Sequence, residues 1–164
     1  SRGLGDVYKR QTLGHEEAYQ LARGEEVVSS TGLPVRLSRP LDWLVISDHS
    51  DLMGFANDLK AGAPSVLADP KGAYWYGEIE KGGEAALKAT LDLVQNWGAG
   101  TLPPKLVKDY SPGSDVYTAV WDHTTATADE YNDPGTFTTL IGYEWTSMPN
   151  GNNLHRNVIF RDGA

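Results

Sequence analysis

The sequence predicts an α/β fold, and three observations carry that prediction. Short apolar runs rich in β-formers end at polar residues in LVISDH (44–49) and FTTLIGYEW (137–145). A third run, LHRNVIF (154–160), has the length of one more strand. Stretches of helical periodicity stand between the first two. Strands separated by helices pair in parallel through crossover connections, which implies a layered or barrel-like architecture.

Taken in order, HEEAYQLARG (15–24) is expected to be a helix, with acids in its first turn, Tyr19 and Ala22 at helical spacing and Gly24 as its stop. EEVVSSTGLPVRLSRP is turn-rich and reads as a hairpin or loop. LDWLVISDH is the first strand; Leu44, Val45 and Ile46 show no polar alternation, the pattern of a strand covered on both faces. Residues 50–62 predict a helix with Ser50 as its N-cap, Asp51 in its first turn and Leu52, Phe55 and Leu59 on one side. Residues 63–82, with several Gly, Pro and aromatic residues, predict an irregular insertion.

Over 84–97, Leu87, Leu91 and Val94 recur at i, i+4 and i+7, the apolar stripe of an amphipathic helix. Pro103, Pro104, Pro112 and Gly113 then break the chain. A helix over 114–131 follows, with Val116, Val120 and Tyr131 on a shared face. DPGTFTTLIGYEW opens on a Pro-Gly turn and ends its strand near Glu144; MPNGNN is a turn before the third strand.

Residues 1–11, SRGLGDVYKRQ, coincide with a widely used sequencing adapter translated in frame. They are set aside as a library scar, so 12–164 is expected to be a central fragment of one domain, truncated at both ends. Without Arg2, Lys9, Arg10 and Asp6 the formal net charge moves from -8 to -10. That balance argues against a nucleic-acid groove or an anionic membrane as partner. The absence of cysteine excludes disulfides, thiolate nucleophiles and Cys-ligated zinc, without fixing a compartment. No apolar stretch approaches the roughly 20 residues that span a bilayer, so no transmembrane segment is expected.

The polar residues at strand ends carry the functional reading. In parallel α/β folds the carboxyl ends of neighbouring strands converge on one face, where sites are built. His49 closes the first strand, Glu144 lies at the end of the second and His155 near the start of the third. Two imidazoles and a carboxylate gathered there would suit a divalent cation such as Zn, Mn or Fe. Each also has an ordinary structural reading. A strand-end histidine commonly serves as a hydrogen-bonded structural group, and a buried glutamate is satisfied by donors as well as by a cation.

Of the other histidines, His15 is expected to be solvent exposed and His123 to pack or hydrogen bond at the surface of its helix. The tryptophans at 43, 75, 97, 121 and 145 suggest a sugar platform, but their scatter over five elements makes core packing the default.

SDH after one apolar strand, GYEW after another and a histidine 11 residues beyond the glutamate resemble the second and third metal motifs of the polymerase and histidinol phosphatase (PHP) superfamily. Within it, RPLDWLVISDH, NDPGTFTTLIGYEWTSMPNGNNLHRNVIFRDG and EEAYQLARGEEV look like the family called domain of unknown function 3604. The resemblance covers nearly all of 12–164 and weakens between about 63 and 112.

It implies a partial distorted (β/α) barrel of PHP type and a metallohydrolase whose two or three divalent ions activate water, typically against a small anionic phosphoester. His49 and His155 match metal ligands and Glu144 a carboxylate that bridges two ions. Asp48 is expected to orient His49 or its loop, and Arg156 to bind an anionic substrate group or make an ordinary ion pair. The superfamily's opening His-x-His motif would stand upstream and its later histidine motifs downstream, so the fragment itself is expected to be inactive. The competing expectation is a non-catalytic α/β binding module in which the polar cluster only satisfies hydrogen bonds.

Overall fold

The computed structural model describes residues 13–147 and 154–163; the adapter-like segment 1–11 and the MPNGNN turn at 148–153 lie outside the described residues. Helix α1 (His15–Ala22) forms where its signals put it. Glu17 reaches back to the Gly14 amide, and Gly24 takes a positive φ just past its end. The turn-rich segment makes a small antiparallel hairpin of β1 (Val27–Val28) and β2 (Pro34–Val35). Strand β3 (Trp43–Ile46) follows.

Helix α2 (Phe55–Ala61) starts later than its sequence signals suggest, because Ser50 does not cap it. Asp51 is drawn away instead: its Oδ2 accepts the Thr146 amide at 2.8 Å. Residues 63–82 are regular, correcting the expected insertion. They form α3 (Pro64–Leu67) and α4 (Pro70–Lys81), each with proline in its first turn, where a missing N–H costs nothing. The Asp69 carboxylate caps α4 through the Lys71 and Gly72 amides.

Helix α5 (Gly83–Ala99) is present but rotated from the expected face. Ala86, Ala89 and Leu93 are buried, whereas Leu87 is 46% and Leu91 52% exposed. Close packing of α4 against α5 favours small side chains at the contact, which a count of large apolar residues overlooks. Helix α6 (Pro104–Asp109) again begins on proline, and α7 (Asp115–Tyr131) is capped by Ser114, whose hydroxyl accepts the Tyr117 amide. Helices α2 to α6 share a core that includes Phe55, Leu59, Val66, Trp75 and Tyr110. Among the described residues no helix is long and apolar enough to cross a membrane.

One glycine is required by this packing. A Cβ on Gly72 would lie 2.2 Å from the Val66 carbonyl oxygen, whereas one on Gly77 in the same helix meets nothing within 4 Å. Gly72→Ala should therefore cost about 1–3 kcal/mol, and Gly77→Ala should gain roughly 0.5–1 kcal/mol. Thermal unfolding of the two variants side by side checks both signs.

Strand β4 (Thr138–Ser147) pairs in parallel with β3 and antiparallel with β5 (Leu154–Ile159), giving the order β3-β4-β5. Parallel pairing thus holds for the two strands with helices between them. It does not extend to β5, because a parallel crossover needs about a dozen residues and the connection at 148–153 is shorter. The architecture is mixed α/β, with an open three-stranded sheet and no closed barrel among the described residues.

Leu44, Ile46 and Ile141 face α1 and α7 in a second core with Tyr19, Ala22, Ala128 and Phe137. Trp43 and Val45 point to the other face, and Trp43 is 57% exposed. The strand expected to be covered on both faces is apolar on both but packed by helices on one.

Candidate metal centre

Strand β3 ends at Ile46, yet its register against β4 persists. His49 bridges Glu144 in parallel, the Glu144 amide donates to the Asp48 carbonyl, and the Ser50 amide donates to the Glu144 carbonyl, both at 2.7 Å. Side chains therefore keep alternating beyond the strand, so His49 shares a face with Glu144 while Asp48 points to the opposite one. Across the hairpin, Thr146 stands opposite His155 and Glu144 opposite Asn157. His155 reaches the carboxyl end of β4 because β5 runs antiparallel, a different route from the parallel one expected.

These alternations gather His49, Glu144 and His155 so that one ligand atom from each lies within 4.8 Å of the others. Ligand atoms each about 2 Å from a shared ion stand about 3–4 Å apart, so a small inward adjustment suffices. Glu144 is 5% exposed, His49 is half-buried and His155 is open to solvent. Glu144 Oε1 contacts His155 Nδ1, whereas Glu144 Oε2 is buried and has no hydrogen-bond partner.

Thr146 sets the imidazoles. Its hydroxyl lies 2.7 Å from His49 Nδ1 and 3.2 Å from His155 Nδ1. The tautomer in which His49 Nδ1–H donates to that hydroxyl leaves the Nε2 lone pair facing Glu144 Oε2 at 3.9 Å. Two acceptors then face one another across a gap with no proton between them. A cation satisfies both, and an imidazole whose other nitrogen is held by a hydrogen bond is the usual form of a histidine ligand. The residues fit a divalent metal.

The model of the family described as "Protein of unknown function (DUF3604)" matches residues 5–164. The chain belongs to the DUF3604 family. Among curated proteins and solved structures, none matches it. The resemblance to domain of unknown function 3604 is borne out by that match, whose range begins within the segment 1–11.

The remaining candidates of this DUF3604 chain lie elsewhere. Asp48 Oδ2 takes His15 Nε2 at 2.6 Å on the helix-covered face of the sheet, and so touches His49 through the backbone they share. His15 is 7% exposed, which corrects its expected exposure: as the first residue of α1 it points at the end of β3. Its partner is 33 residues away, and no local signal marks the pairing. His123 lies at the surface as expected, 3.5 Å from Glu16 and stacked on His15.

Arg156 follows His155 in sequence, but strand alternation turns it to the other face. Its guanidinium carbon sits 5.0 Å above the Trp145 ring. Of the five tryptophans only Trp75 is fully buried, and Trp43 and Trp145 are exposed, so core packing as the default is corrected for those two. Thr146 is the site residue that sequence reasoning passed over. Its place two residues after Glu144, hence on the same strand face, was the available signal.

Proposed function

We propose that this chain carries the divalent-metal centre of a hydrolase of the PHP type, acting on phosphoesters, with His49, Glu144 and His155 as ligands. The observation that supports it most is the buried Glu144 Oε2, which lacks a hydrogen-bond partner and lies 3.9 Å from His49 Nε2. A bound divalent cation supplies acidification of water and neutralisation of charge on a phosphoryl oxygen. In the reaction a P–O bond forms from water, the P–O bond to the alcohol breaks, and a proton passes to the leaving oxygen.

The chain's own residues divide the work. Glu144 sits in a nearly dry position with one carboxylate oxygen toward each histidine. His49 gives a directed lone pair, its ring fixed by Thr146 and by the edge contact with Trp97 at 6.2 Å between centroids. His155 stands at the open side, where an anionic substrate arrives. On this reading the open sheet face, with Trp43 exposed and Val45 half-buried, belongs to the interior of a PHP-type barrel.

Calorimetric titration with Zn²⁺ and Mn²⁺, and a panel of phosphomonoesters and diesters on a longer gene product that carries the flanking histidine motifs, test the reading. Saturable binding is expected, and Thr146→Val should weaken it about 10–100-fold while keeping the shape of the side chain. Absence of binding at millimolar metal would leave a hydrogen-bonded polar cluster and a non-catalytic module.

A further inference from the structure

Beside the ligand cluster lies a cleft of ≈ 550 Å³ whose walls include Trp97, Tyr117, Tyr143 and Trp145. Asp51 supplies the one charged side chain among its lining residues, and no Lys or Arg lines it. Trp97 also packs edge-on against His49, at 6.2 Å between centroids. The cleft and the ligand cluster are therefore neighbours with different chemistry. One suits an anion bridged by metal; the other repels it.

We propose that this cleft binds a cationic, amine-bearing group. Aromatic faces carry negative quadrupole charge and attract ammonium groups, most strongly where water is excluded. A carboxylate among four rings adds a full negative charge, and a protein with net charge of -8 favours the same sign of ligand. Asp51 is held in place by the Thr146 amide, so its charge is fixed at the cleft instead of swinging into solvent. Burial, with Asp51 and Tyr143 adding to it, pushes the Tyr117 hydroxyl above its ordinary pKa, so it stays a neutral hydroxyl in the wall.

The binding of a cation in this cleft does not depend on the metal centre. The test is a titration of tryptophan fluorescence in excess chelator, with choline, its neutral isostere 3,3-dimethylbutan-1-ol and a neutral methyl glucoside as probes.

Choline should quench saturably, and the isostere should bind at least about fivefold more weakly. Asp51→Asn, which retains an acceptor for the Thr146 amide, should weaken choline and leave the isostere unchanged, a split that misfolding would not produce. Equal binding of choline and isostere, preference for the glucoside, or no quenching at all would overturn the proposal. Because metal is removed throughout, failure here leaves the metal centre standing, and failure of metal binding leaves this cleft standing.

Discussion

Replacing Glu144 with glutamine is expected to stabilise the metal-free protein and to abolish its stabilisation by divalent cations. The wild-type carboxylate buries Oε2 with no hydrogen-bond partner, 3.9 Å from His49 Nε2. A buried polar atom left unpaired costs about 1–3 kcal/mol, and more when charged. Glutamine has nearly the same shape, keeps a carbonyl oxygen for His155 and puts an amide N–H₂ where Oε2 stood. That group can donate to His49 Nε2. A gain of about 1 kcal/mol follows in chelator.

With metal the order reverses. At a hundredfold excess over Kd, a ligand that binds only the folded state adds about 2.7 kcal/mol, and the variant forfeits it. Thermal unfolding of both proteins, each with chelator and with Zn²⁺ or Mn²⁺, reads the crossing directly. Equal metal-induced shifts in the two proteins would show that Glu144 is no ligand.

The site was more legible than the fold around it. SDH and GYEW end apolar strands, where a charge has to be justified, and alternation at period two is enough to put His49 and Glu144 on one face once their strands pair. His155 was found for a partly mistaken reason: a hairpin, not a crossover, brings it back. Arg156 shows the cost of reading sequence neighbours as spatial ones, since it adjoins a ligand and points to the opposite side of the sheet; Asp48 also points away, but its carbonyl on the Glu144 amide and its carboxylate on His15 hold the loop that carries His49.

The helices misled in a different way. Pro64, Pro70 and Pro104 look like breaks, but proline is also a good first-turn residue, and only the Asp69 cap distinguishes the two locally. On α5 the leucine stripe was conspicuous and the buried face, Ala86 and Ala89, was not. Alanine contributes little to a count of apolar residues, yet it lets two helices approach closely. His15 could not be seen at all, because burial of a helix-initial histidine depends on a carboxylate supplied by another element.

The largest loss of stability is expected from Trp75→Ala. This indole is 0% exposed, packs edge-on to Phe55 at 6.3 Å and lies in the core shared by α2 to α6. Its Nε1–H donates to Asp92 Oδ2 at 2.7 Å, and Lys71 Nζ meets the same oxygen at 2.8 Å. Lys71 first, and then the indole, hold the Asp92 carboxyl below its ordinary pKa.

Truncation to alanine removes that donor and opens a cavity, for a cost of about 3–5 kcal/mol. At about 2–4 °C per kcal/mol for a chain of this size, the unfolding midpoint should fall by roughly 10 °C. Trp75→Phe separates the two contributions. It keeps much of the ring volume and loses the N–H, while Lys71 remains on Asp92, so its cost should be well under half that of alanine. A phenylalanine variant as damaged as the alanine one would mean that the Asp92 bond, and not the filling of the core, makes this tryptophan the keystone of the helical layer.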